Sequence, residues 1–159
     1  MTGHAVSRDR PRGPRTALAA RQAALVEALT SGAPVPDGFD ARRVEAARVA
    51  LLRKRAGEVA RQWPALAAGA GPGWTRAFAR WAARRPTRGT LRDGWDMARD
   101  LAARGELPPL AAPELAAREA AMRYDGESPP RVRRGPALRS ASGSIVVQLF
   151  GRVRVLRRP

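Results

Sequence analysis

The sequence predicts a mainly α protein, a compact bundle of about five helices with a short C-terminal β segment and a disordered N-terminal tail. Three observations carry this expectation. Apolar residues recur at three- and four-residue steps in separate stretches between Ala17 and Asp125. Segments rich in Gly and Pro interrupt those stretches where turns are needed. After Asp125 the composition changes, and the last residues become β-branched and partly alternating. The expected division is a basic tail over 1–16, a helical domain over 17–125, a linker over 126–143 and a β segment over 144–159.

The opening MTGHAVSRDRPRGPR is polar, rich in Pro and Gly, and lacks an apolar period, so it has little surface to bury. Thr16 can cap a first helix with Leu18, Leu25, Val26 and Leu29 on one face, ended by SGAPVPDG. Asp40 can cap a second, ARRVEAARVALLRKRAGEVARQW, which runs into Pro64. A third, from Trp74 to about Arg85, sets Trp74, Ala77, Phe78, Trp81 and Ala82 on one side and Arg76, Arg80 and Arg84 on the other. Thr90 can cap a fourth, with Leu91, Trp95, Ala98 and Ala102 inward and Gly105 at its end. Pro113 opens a fifth that reaches about Arg123. In the closing SIVVQLFGRVRVLRRP, Gly151 marks a bulge or a bend between two short strands. Two strands alone are marginal in water, so these are expected to pair with something else.

Charge narrows the function less than its total suggests. The net +16 invites a nucleic-acid partner. However, +10 of it falls outside the helical domain, in residues 1–16 and 126–159. Of the 30 basic residues only Lys54 is not Arg, which points to GC-rich coding as a second source of the arginines. The absence of cysteine excludes disulfides, thiolate metal sites and cysteine nucleophiles, and suits a reducing cytoplasm. No apolar run approaches the roughly 18 residues of a membrane span, and no secretory signal is expected. The one histidine, His4, lies in the tail, so histidine-dependent catalysis has no support.

No motif for catalysis is present: G-x-S-x-G, H-E-x-x-H and a paired-acid arrangement are all missing. No catalytic residue, metal ligand or cofactor of its own is expected for this chain. GAGPGW lacks the preceding strand and the following GK[ST] of a phosphate loop, and reads as an inter-helix connection. Asp93, Asp96 and Asp100 read as a solvated face, a carboxylate metal site being the alternative. The third and fourth helices are spaced like a helix-turn-helix, but three aspartates on the would-be reading helix repel phosphate. The face bearing Arg76, Arg80, Arg84 and Arg85 can either remain solvated or grip a phosphate backbone without sequence preference.

The second helix holds the sharpest structural expectation. At about 100° per residue, Val44, Leu51, Leu52, Val59 and Trp63 form an apolar arc, with Arg48 and Arg55 inside it. Arg53, Lys54 and Arg61 point away. A buried Arg needs a partner, and Glu119 stands on the apolar side of the last helix, four after Leu115 and three before Met122. The expectation is an ion pair of Glu119 with Arg48 or Arg55; the alternative is that both arginines lie at the rim and snorkel to water.

The order of these features resembles a known family. A basic-apolar helix ends in Trp63-Pro64, then come GWTRAFARWAARRP, LRDGWDMARDL and PELAAREAAM. Over roughly Ala17–Tyr124 this is similar to the N-terminal helical domain of the HvfC/BufC family, in an actinobacterial branch with an LLxKR stretch. The resemblance implies a non-catalytic partner of a multinuclear non-haem iron oxidase with a TIM-barrel fold. Such pairs modify cysteines of ribosomally made peptides, and the partner helps recognise the precursor peptide. In this reading the helix with Trp74, Arg76, Arg80, Arg84 and Arg85, together with the terminal strands, forms the expected contact surfaces. The same helical domain has also been described as DNA-binding, so a nucleic-acid module using the basic tails and the Arg face is the alternative. Two departures stand out: the larger β-containing C-terminal domain is reduced here to about 34 residues, and Trp63 replaces the commoner Phe.

Overall fold

The protein is described from a computed structural model over residues 14–133, 137–141, 144–149 and 152–157. His4 and most of the expected tail lie outside the described residues. Helix α1, Pro14–Ser31, starts ahead of Thr16, with Pro14 at the first helical position, where its missing N–H costs nothing. It lies along α2, but among its described side chains only Ala28 is buried, and Leu18 and Val26 stay exposed. Gly32, at φ +68°, turns the chain away; a Cβ there would meet Arg48 at 2.6 Å and the Ala83 carbonyl at 2.8 Å.

Helix α2, Ala41–Gln62, is capped as expected by Asp40, whose Oδ1 accepts from the backbone N–H groups of Arg42 (2.9 Å) and Arg43 (3.2 Å). At Trp63 the backbone leaves helical geometry, and Pro64 begins a helix that the sequence reading lacks, α3, Pro64–Ala70. Seven residues are too few to establish a period. The N-terminal donor at Leu66 is satisfied from a distance, by the Glu114 carboxylate at 2.9 Å. A single 3₁₀ turn, Gly71–Gly73, leads to α4, Trp74–Ala82. Helix α5, Thr90–Ala103, has Gly89 rather than Thr90 at its cap position. Helix α6 spans Ala112–Ala121.

The core forms where α2, α4 and α5 meet. Trp63, Trp95, Phe78, Leu66 and Val59 are its largest fully buried side chains. Trp63 and Trp95 pack edge to face at 6.0 Å between ring centroids, and Phe78 lies 5.5 Å from Trp74. The indole N–H of Trp63 donates to the Leu91 carbonyl (3.1 Å) and that of Trp74 to the Ala56 carbonyl (3.0 Å). The crossing of α2 and α5 requires Gly94, because a Cβ there would lie 2.1 Å from Trp63 Cδ1.

The β structure is larger than expected. Met122–Arg123 (β1) pairs antiparallel with Arg131–Val132 (β2). A three-stranded antiparallel sheet follows, in order β3 (Ala137–Ala141), β4 (Ser144–Leu149) and β5 (Arg152–Arg157). Strands β4 and β5 are the predicted pair, with Val146 opposite Val155. What they pair with is β3, from the stretch read as linker, and α6 packs against all three strands. The linker composition hid β3 because Arg and Ser break the β-branched signal that β4 carries. Among the described residues no helix is long and apolar enough to cross a membrane.

Candidate interaction surface on the fourth and fifth helices

Arg48 and Arg55 do turn inward from α2, but Glu119 is not what meets them. Arg55 Nε donates to Asp93 Oδ2 at 2.8 Å, and its Nη1 donates to the Arg85 carbonyl at 2.8 Å. The side chains are 12% and 3% exposed, so this is a buried ion pair. The guanidinium also lies 5.6 Å from the Phe78 ring centroid. Its Nη2 is buried without a hydrogen-bond partner among the described residues. Arg48 Nη2 donates to the Ala83 carbonyl at 2.6 Å, where a cation complements the end of α4. Glu119 instead pairs with Arg99 of α5 at 2.8 Å, because α6 packs along α5.

The aspartates of α5 are likewise not a solvated face. Asp93 Oδ1 accepts from the Arg88 N–H (2.9 Å), and Oδ2 accepts from Thr87 Oγ1 (2.8 Å) as well as from Arg55. One carboxylate therefore gathers the whole loop between α4 and α5. This explains why α4 stops at Ala82 rather than Arg85. Arg48 and Arg55 claim the carbonyls of Ala83 and Arg85, and Pro86 disfavours helical geometry in the residue before it. Asp100 Oδ2 accepts from Trp81 Nε1 (2.8 Å) and from Arg85, which stacks 4.6 Å from the Trp81 centroid. Asp96 Oδ2 accepts from the Tyr124 hydroxyl at 3.0 Å. With their oxygens turned to protein donors, the three do not converge as metal ligands, and no such cluster exists among the described residues.

These environments separate two of the carboxyls. Burial pushes Asp96 above its ordinary range, reinforced by Asp93 and opposed by the Tyr124 hydrogen bond, Arg88 and Arg99. Burial also acts upward on Asp100, but the bonds from Arg85 and Trp81 outweigh it and leave that carboxyl below its ordinary value. The linkage signs follow. The folded state holds the Asp96 proton more tightly than the unfolded chain, so this group subtracts stability as pH rises from the ordinary carboxyl range through its raised value. Asp100 contributes stability above the ordinary range, and that contribution is lost as pH falls. Asp96→Asn, which keeps an acceptor for Tyr124, is therefore expected to match or exceed the parent in Tm at neutral pH and to lose that advantage in acid. Thermal unfolding followed by circular dichroism across pH 3–8 checks this; a variant less stable at pH 7 than at pH 4, relative to the parent, contradicts it.

Of the predicted contact residues, Trp74 leaves the surface: it is 7% exposed and belongs to the core. Arg76, Arg80, Arg84 and Arg85 are exposed. The first three have no ion-pair or hydrogen-bond partner among the described residues, whereas Arg85 is committed to Asp100 and Trp81. From Gly71 to Arg92 the chain contains six arginines and no acid. The stripe runs into a cleft of about 420 Å³ rimmed by Arg84, Arg85 and Arg88, with the α5 aspartates in its wall. Sequence reasoning identified the Arg stripe but missed Asp93 and Thr87, which hold the loop that presents its end.

Residues 19–103, from α1 through the last turn of α5, match the family described as SCO6045-like, C-terminal domain. The chain belongs to this family. The Arg55–Asp93 pair, the Arg stripe and the tryptophan core all fall within the matched residues, while α6 and the strands lie beyond them. Over 139 residues the chain is also 38% identical to a UPF0276 protein of Streptomyces avermitilis. That alignment takes in 86% of this chain but 28% of the relative, so the chain spans little more than a quarter of the relative's length. No solved structure matches the chain.

Proposed function

We propose that this chain is a non-catalytic partner of a larger enzyme, docking through the exposed stripe of Arg76, Arg80 and Arg84. The observation that carries this reading is the length of the Streptomyces avermitilis relative. That protein aligns with 86% of this chain and has roughly 360 residues more, enough for a (β/α)₈ barrel of about 250 residues. A domain joined covalently to a larger one in a relative is suited to pack against it. Taken with the resemblance to the HvfC/BufC family, the larger component is a TIM-barrel multinuclear non-haem iron oxidase that modifies cysteines of a ribosomally made peptide. In this reading the iron belongs to the barrel. This chain assists recognition of the precursor, with an edge strand of the three-stranded sheet, β3 or β5, taking up an extended segment.

The test uses the barrel-sized remainder of the relative, expressed by itself and mixed with this chain. The expected result is a complex by size-exclusion chromatography and calorimetry, with peptide modification detected by mass spectrometry when both components are present. The triple variant Arg76→Glu/Arg80→Glu/Arg84→Glu is expected to weaken binding at least tenfold, about 1.4 kcal/mol, without lowering Tm. Failure to form a complex at micromolar concentration overturns the reading. The same stripe also suits a phosphate backbone, and a DNA gel shift that fades steeply between about 50 and 200 mM salt supports that alternative instead.

A further inference from the structure

A second cleft, of about 460 Å³, opens where α5 and α6 meet the short hairpin of β1 and β2. Its walls carry four arginines, Arg99, Arg123, Arg131 and Arg133, against two acids, Glu119 and Asp125. Both acids are engaged. Glu119 bonds Arg99, and Asp125 Oδ1 accepts from the N–H groups of Glu127 and Ser128 in its own turn. Those bonds hold the Asp125 carboxyl below its ordinary value. Arg99 is also committed to the Tyr124 carbonyl, and Arg133 to the carbonyls of Glu119 and Met122.

The remaining two guanidinium groups have no such outlet. Arg123 and Arg131 are directly opposite one another across the antiparallel pair. Directly opposed residues share a face, with Cβ atoms about 4.5–5.5 Å apart, and like charges in that position destabilise the pair. Both side chains are exposed toward the cleft and have no ion-pair or hydrogen-bond partner among the described residues. A two-residue ladder gains nothing from setting like charge against like charge; an anion between the two forks removes the repulsion and adds charge-assisted hydrogen bonds.

We infer that the cross-strand pair Arg123 and Arg131 is a binding site for an oxyanion, a carboxylate or a phosphate group, seated in the cleft between the hairpin and α5. The volume leaves room for an organic body behind the anionic group. This site stands apart from the α4 stripe and does not depend on the partner proposed for it.

The test compares the full chain with Arg131→Gln by thermal unfolding in low-salt buffer. It is repeated with inorganic phosphate, with succinate, and with chloride at equal ionic strength. Removing one of two opposed cations is expected to raise the Tm of the variant above the parent when only chloride is present. Phosphate or succinate is expected to raise the Tm of the parent in a saturable way, and whichever acts at the lower concentration identifies the preferred oxyanion. That response is lost, at least tenfold in midpoint concentration, in Arg131→Gln, and is kept in Arg53→Gln, where a cation is removed from the exposed side of α2. Arg123→Gln serves as a second variant should Arg131→Gln fold poorly. The site is overturned if phosphate and succinate act no differently from chloride on the parent, or if the glutamine variants keep the full response.

Discussion

Gly94→Ala is expected to lower Tm by roughly 6–12 °C. In an isolated helix the same change is favourable by about 0.5–1 kcal/mol, so the sign is decided by packing. The new Cβ would lie 2.1 Å from Trp63 Cδ1 and 2.4 Å from Nε1. The indole is held in place, since its N–H donates to the Leu91 carbonyl of α5 and Arg118 covers its ring at 4.7 Å. Either α5 backs away from α2 or Trp63 leaves its rotamer, and each choice opens the contact with Trp95. Overpacking of this kind costs up to about 3 kcal/mol, a large part of the roughly 5–15 kcal/mol that holds a domain folded. Trp63→Phe removes the pyrrole edge that meets the new methyl, so the double variant is expected to recover part of the loss. Thermal unfolding of the three variants decides the matter; a Gly94→Ala protein as stable as the parent would show that the crossing has room for a methyl group.

Asp93→Ala is expected to cost about 3–5 kcal/mol, because it leaves the buried Arg55 guanidinium without its counter-charge. The same substitution strips acceptors from Thr87 and from the Arg88 N–H. Urea unfolding followed by tryptophan fluorescence measures the loss, and Asp93→Asn, which retains an acceptor oxygen, is expected to lose less. Adding Arg55→Met to Asp93→Ala should cost well under the sum of the single changes, since the two groups are in contact. A loss under about 1 kcal/mol for Asp93→Ala would mean that the pair is held no more firmly than a surface bridge. The loop between α4 and α5 carries Arg84, Arg85 and Arg88, so its release is also expected to weaken docking through the stripe. That second effect is read in the binding assay at a temperature where the variant remains folded.

Much of this architecture was legible in the residues. The spacing of Val44, Val59 and Trp63, of Trp74 and Phe78, and of Trp95 and Ala98 placed helices and their inward faces where the fold has them. The same wheel turned Arg48 and Arg55 inward while Arg53, Lys54 and Arg61 stayed exposed. The β-branched ending gave β4 and β5, and the unbroken run of arginines across α4 marked the exposed stripe.

Three things were not legible, each for a physical reason. Helix α3 is seven residues long, and two turns of Ala and Gly show no period to detect. Strand β3 is held by its pairing with β4 and by the cover of α6, whereas its own residues carry little β preference. The acid that meets Arg55 depends on which loop crosses α2. Periodicity states the face a side chain presents and is silent about what lies opposite. Asp93 sits away from the apolar side of α5 and is buried by the returning loop rather than by a helix, so the pattern of α5 alone reads it as solvated. The signal that could have found it was the demand from the other side: two arginines inside an apolar arc require anions or carbonyls, and α5 holds three of the nearby acids. The sequence by itself determined the helices, their buried faces and the placement of charge along them, because these follow from local periodicity and the cost of exposing apolar surface. Only the tertiary structure decided which charges meet, because ion pairs and cross-strand neighbours are set by how distant segments cross.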